Sequence, residues 1–120
     1  PGLETRLPLL YSEGVMKGRI TAQDFVALTA TNPARTYGLY PRKGTLVPGA
    51  DADLVLWDTR AHRTIRHADL HDACDYTPYE GREVGAWPAV TVSRGEIVWD
   101  RGWVSDRHGR GAFLKQSPHS

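Results

Sequence analysis

The sequence predicts an α/β fragment in which a helical piece precedes a small antiparallel sheet. Up to Tyr40, apolar positions recur at helical spacing between cap signals. Beyond Tyr40, glycine and proline appear every few residues and the apolar runs shorten. Two Arg-Gly pairs then separate runs with strand character. Helices segregated from strands argue for two structural parts, with a boundary near Pro41.

The first helix is expected around Pro8, which suits a first helical position, with Leu9, Leu10 and Glu13 following before Gly14. The second is better marked. Thr21 is an N-cap and Asp24, three residues on, completes a variant of the capping box. Ile20 and Phe25 fall at the positions of a hydrophobic staple. Ala22, Phe25, Val26 and Ala30 then line one apolar face. Asn32-Pro33 is expected to stop this helix and start another, with Asn32 capping, Pro33 at the first helical position and Gly38 ending it.

Leu54 to Trp57 reads as a strand buried on both faces. Thr64-Ile65-Arg66 is a weaker strand. Val90 and Val92 alternate with Ala89, Thr91 and Ser93, as in a half-buried strand. Arg94-Gly95 makes a two-residue turn and Ile97-Val98-Trp99 returns as the partner. Arg101-Gly102 turns again into Trp103-Val104, and residues 105–120 read as a polar tail.

The chain has 120 residues and a net charge of +1, enough for one small domain or part of a larger one. No basic patch stands out, which argues against nucleic acid and anionic membranes as partners. No apolar run approaches the roughly 20 residues of a membrane span, and no signal-peptide pattern opens the chain. Cys74 is the only cysteine. It cannot form an intramolecular disulfide, and it fits a reducing, cytoplasmic compartment. The chain opens with Pro1 and its only methionine is Met16, so a processed chain or a fragment is expected.

Candidate chemistry is sparse. His67 and His71 are four apart and would meet on a helix face, but the stretch from Ile65 reads as extended or loop-like, where that spacing separates them. His62, His108 and His119 form no metal-ligand spacing. Asp51, Asp53 and Asp58 could suggest paired carboxylates, but turn and strand-end roles explain them more simply. Asp75-Tyr76-Thr77-Pro78-Tyr79-Glu80-Gly81 is a loop suited to a subunit or domain contact, or to packing on its own tyrosines. Ser12 and Ser93 lack a base nearby in sequence, so a nucleophilic triad has no support.

Several segments carry a family resemblance. Pro1 to Val15 resembles the segment just after the last metal ligand of dihydropyrimidinases and D-hydantoinases. Phe25 to Arg35, Gly44 to Asp58, Asp75 to Gly81 and Ser93-Arg94-Gly95-Glu96 are similar to later segments of the same enzymes, in the same order. The resemblance runs from Pro1 to about Leu114. It implies the C-terminal part of a cyclic amidohydrolase, a (β/α)8 barrel with an added β-sandwich built from both chain ends. Residues 1–40 would be the last helical elements of the barrel, 41–114 the C-terminal share of the sandwich, and 115–120 a tail. The family's chemistry implies two divalent metal ions, usually zinc, held by four histidines, an aspartate and a carboxylated lysine. None of these ligands maps onto this sequence, and no catalytic, cofactor-binding or metal-binding residue is carried over.

The activity so implied is hydrolysis of dihydropyrimidines or 5-substituted hydantoins to N-carbamoyl amino acids. The implied assembly is a homo-oligomer, a tetramer or dimer, acting on a small cyclic ureide. Alternatives are a dihydropyrimidinase-related scaffold protein without metals, an allantoinase, and a free-standing interaction domain. The Thr77-Pro78-Tyr79 form of the loop favours the enzyme over the scaffold.

Overall fold

Proline has no N–H to donate and its ring crowds the carbonyl four residues back, so Pro33 threatens any helix that runs through it. The computed structural model, which describes residues 1–118, shows how the chain accommodates it. Helix α2 (Ala22–Val26) passes into a π-helical stretch, Ala27–Thr31, and then into α3 (Asn32–Thr36). Val26, Thr31 and Asn32 all keep right-handed helical angles. Asn32 therefore does not cap a new helix, and the expected break is absent. The wider π register before Pro33 absorbs its missing donor and its ring. The start of α2 follows its sequence signal. The Thr21 N–H donates to the Asp24 carboxylate at 3.0 Å, and the Asp24 N–H donates to Thr21 Oγ1 at 3.0 Å. The end of α3 follows its signal too. Gly38 takes φ +69° and the Leu39 N–H returns to the Ala34 carbonyl at 2.8 Å.

Helix α1 (Arg6–Leu10) begins two residues earlier than expected, placing Pro8 inside its first turn, where an N–H is not needed. It does not stop at Gly14 but continues as a π-helical stretch, Tyr11–Met16. Gly14 is buried there with the Ile20 side chain against it.

The main sheet has four strands in the order β1 (Leu54–Asp58), β4 (Trp87–Ser93), β5 (Glu96–Asp100), β6 (Trp103–Val104). Both Arg-Gly pairs make the expected two-residue turns. Ser93 pairs with Glu96 and Asp100 with Trp103, and all four turn residues have positive φ. That is the turn whose twist matches antiparallel strands. A bulge at Val98 shifts the register between Thr91–Trp99 and Val92–Ile97. The apolar run of β1 is not buried on both faces: Val55 and Leu56 are exposed. β1 lies at the sheet edge, and composition alone does not tell a covered strand from an uncovered one. β2 (Arg63–Thr64) and β3 (Glu83–Val84) form a separate antiparallel ribbon.

The chain forms two compact units. One comprises residues 1–25 and 57–88. Its core gathers Ile65, Val84 and Trp87, with Leu9, Ala61 and Leu70 packed on them. Beside this, Tyr11 stacks on Trp57 with ring centroids 5.2 Å apart, and Phe25 meets both edge-on. The Gly85 N–H donates to buried Ser12 Oγ at 3.1 Å. The other unit comprises residues 26–56 and, among the described residues, 89–118. Its loop 42–53 is tied to the π-helical stretch before α3 and to the β4–β5 turn. Thr31 Oγ1 donates to the Gly44 carbonyl at 2.7 Å, and the Gly95 N–H donates to the Ala52 carbonyl at 3.0 Å. No helix among the described residues is long and apolar enough to cross a membrane.

Candidate functional site

The Asp75–Gly81 loop closes over the β2–β3 ribbon. Ile65 extends the ribbon by one residue, its N–H donating to the Arg82 carbonyl and its carbonyl accepting from Gly81 N–H, each at 2.8 Å. Gly81 takes φ +81° to make the return. Buried Thr77 organises the loop: its Oγ1 accepts from Tyr79 N–H at 3.3 Å. The Glu80 carboxylate accepts from His67 N–H at 3.2 Å. Tyr76 is 58% exposed, whereas Tyr79, at 37%, is mostly covered, its ring lying beside Gly2. Asp72 has both carboxylate oxygens shielded and without a hydrogen-bond partner among the described residues.

The histidines are held apart. The His67 ring meets the Cys74 carbonyl, while His71 donates its N–H to Glu4 at 2.8 Å and sets Nδ1 3.0 Å from the same carboxylate. Only His67 to Asp69 is helical, as one 3-10 turn, so the four-residue spacing does not converge. His62 and His108 are exposed, and His119 lies outside the described residues. Cys74 is a half-buried free thiol.

The three aspartates serve the fold. Asp58 accepts from Arg60 N–H at 2.9 Å in a local turn. Asp51 lies 2.9 Å from Lys43 Nζ and 3.0 Å from Arg42 Nε. Asp53 pairs with Lys43 and accepts from Arg94 N–H at 2.8 Å. The hydrogen bonds from Lys43 and then Arg42 hold the Asp51 carboxyl below the usual range. For Asp53, burial pushes the carboxyl up, but the bonds from Lys43 and Arg94 N–H outweigh it and the balance is downward. Burial likewise opposes the Lys43 charge, and its bonds to Asp53 and Asp51 raise it on balance. Groups pinned in their charged forms are poor proton shuttles at neutral pH.

Two networks escaped the sequence reading. One is this Lys43 clamp, assembled across loop 42–53 and the β4–β5 turn. The other centres on Glu13, which faces Lys17 at 2.7 Å, Arg82 at 3.4 Å and Arg19 at 3.9 Å. Only the Glu13–Lys17 spacing of four was available as a signal.

Comparison with known proteins settles the family. The model of the amidohydrolase family matches residues 2–98. The chain belongs to the amidohydrolase family. Within it, the chain is 48% identical over 118 residues to D-phenylhydantoinase of several Escherichia coli strains, covering 98% of this chain and 26% of that protein. A D-hydantoinase structure superposes with a TM-score of 0.94 at 42% identity, covering 99% of this chain and 26% of the other. A D-hydantoinase (dihydropyrimidinase) from Thermus sp. superposes with a TM-score of 0.95 at 38% identity, with the same coverage. The chain thus spans about a quarter of the length of the curated relatives it matches.

Amidohydrolases are generally metal-dependent, and the described residues of this chain assemble no ligand set that fits a metal. Among the described residues no three His, Cys, Asp or Glu side chains converge. The half-buried ring of His67 and the carboxylates of Asp51 and Asp53 are committed to partners within the fold. No step of the amidohydrolase reaction is assigned to these side chains.

Proposed function

We propose that this chain is the C-terminal part of a metal-dependent hydrolase that opens cyclic amide rings, converting dihydropyrimidines or 5-substituted hydantoins to N-carbamoyl amino acids. Residues 1–40 are its last helical elements on a (β/α)8 barrel, 41–114 the C-terminal share of its β-sandwich, and 115–120 a tail. Two divalent metals, zinc by preference, are held by side chains outside this chain, and the intact protein is a cytoplasmic homo-oligomer. The observation that carries the reading is the match to D-phenylhydantoinase at 48% identity over 98% of the chain. The Asp75–Gly81 loop supports it as a contact surface, being ordered by Thr77 and Glu80 with Tyr76 exposed. This chain's own contribution is support: chemistry in barrel enzymes sits at loops after the strands, and a fold confers no activity without its site.

The test is a pair of assays for N-carbamoyl product, with hydantoin and dihydrouracil as substrates. The intact protein, loaded with zinc, should open at least one ring and lose that activity to a chelator. The 120-residue chain, with the same zinc, should be inert. An intact protein that binds no divalent metal and opens neither ring would overturn the assignment. Turnover by the 120-residue chain alone would overturn the supporting role.

A further inference from the structure

We infer that residues 105–118 form a detachable strap, latched by Arg110 across the β4–β5 hairpin, rather than a loose tail. The segment has no regular structure, and only Ser105, Arg110 and Leu114 within it are withdrawn from solvent. Its attachment is therefore polar, and the contacts concentrate on one residue. Arg110 Nε lies 2.8 Å from Glu96 Oε2, and its Nη2 donates to the Ser93 carbonyl at 2.7 Å. The Arg110 carbonyl accepts from the Arg94 guanidinium in return. The Arg110 side chain is 14% exposed, against 63% for Arg107, which meets the other oxygen of Glu96. One carboxylate at the start of β5 thus holds two arginines of the strap. The far end is pinned separately, by the Ser117 N–H donating to the Gly38 carbonyl at 2.8 Å.

Between these two attachments the strap walls a cleft of about 210 Å³. Lys43, Ser93 and Arg94 line one side, and Arg110, Gly111, Ala112 and Leu114 the other. The strap supplies more than half of the lining, so the cleft exists only while the strap is down. Lifting it opens the cleft and frees the Glu96 carboxylate and the Arg94 guanidinium, while Lys43 stays paired with Asp51 and Asp53. The hairpin beneath does not depend on the strap, because the Arg94 and Gly95 N–H groups are held by Asp53 and Ala52. An attachment built from ion pairs with little apolar burial yields to salt, whereas the hairpin does not.

Limited proteolysis of the intact protein with subtilisin, cleavage sites mapped by mass spectrometry, reads the opening because cleavage follows the population of the open form. Arg110→Gln should speed cleavage within 105–118 by about tenfold or more, the loss expected for charge-assisted hydrogen bonds at a shielded site. Arg107→Gln should change it by about twofold at most, as for an exposed pair. Raising salt to about 0.5 M should move the wild type toward Arg110→Gln. Melting temperature and cleavage elsewhere should hold in all three. Should Arg110→Gln fail to fold, Glu96→Gln at its more exposed position gives the same readout, with acceleration expected. Unchanged strap cleavage in Arg110→Gln or Glu96→Gln overturns the proposal. So does acceleration that occurs only in step with cleavage of β4 and β5, because the segment would then open with the whole unit.

Discussion

Single residues separate backbone strain from packing. Gly44 and Gly49 both take positive φ, +87° and +93°. A side chain at Gly49 would meet nothing within 4 Å, whereas a Cβ at Gly44 would stand 2.6 Å from Ala34 Cβ and 3.0 Å from the Ala30 carbonyl. Gly49→Ala should therefore cost only the left-handed penalty, about 1–2 kcal/mol. Gly44→Ala should cost that plus an overpacking term of about 1–3 kcal/mol. Thermal melting of the two variants in the intact protein checks this, and equal costs would refute it. Trp57 is a second case. The sequence marked it as the end of an apolar run, which lies within β1, but offered no sign of its partners. Those are Tyr11 and Phe25, on helical segments far away in the chain. Trp57→Ala should destabilise by roughly 3 kcal/mol, the low end for a truncated Trp because the ring is only half-buried, without a specific loss of turnover. Unchanged melting with lost turnover would place Trp57 in the chemistry instead.

Elements were legible where their rules are local. The Thr21/Asp24 cap, the Gly38 stop and both Arg-Gly turns are each written within four or five residues, and each formed as read. The π-helical stretches were not legible, because helical periodicity does not distinguish the registers and Asn-Pro ordinarily signals a stop. The turns also carry a correctable flaw. Arg101 holds φ +45°, which costs a non-glycine residue energy that Asn pays less of. Arg101→Asn should stabilise the β5–β6 hairpin by about 0.5–1 kcal/mol, since the exposed Asp100 pair it forfeits contributes little. The Lys43 clamp, spanning loop and hairpin, sets a pH dependence. The Asp51 and Asp53 carboxyls are lowered in the folded state from 3.8, so their stabilisation is present above that value and fades as pH falls through their folded values. Lys43 is raised above 10.5, so its share is full below 10.5 and fades as pH rises beyond it. Melting temperature should fall below pH 4, and that fall should shrink in the double variant Asp51→Asn, Asp53→Asn. An identical acid profile in the double variant would remove the clamp as its cause.

At the scale of the molecule, reading along the chain places one boundary near Pro41, whereas each compact unit draws on residues from both sides of it. Units assembled from distant segments are invisible to local signals, and so was the uncovered state of β1. The family was legible all the same, because its marks are short ordered motifs rather than contacts. The exposed apolar side chains lead to a final expectation. Leu28, Leu46, Leu56, Trp103 and Val104 are each at least half exposed, and Phe113 is 93% exposed. β1 and β6 are the edge strands of the main sheet, and a sheet edge is a template for another strand. Scattered apolar residues are normal on a surface, but this number on a chain of 120 residues, next to open strand edges, favours association. The 120-residue chain made alone should bind an apolar dye strongly and elute broadly or as aggregate in size-exclusion chromatography. Both signs should diminish when the remainder of the intact protein is supplied, because the same faces would then be covered. A sharp monomer peak with cooperative melting and no dye binding would instead identify a free-standing domain that tolerates these faces in water.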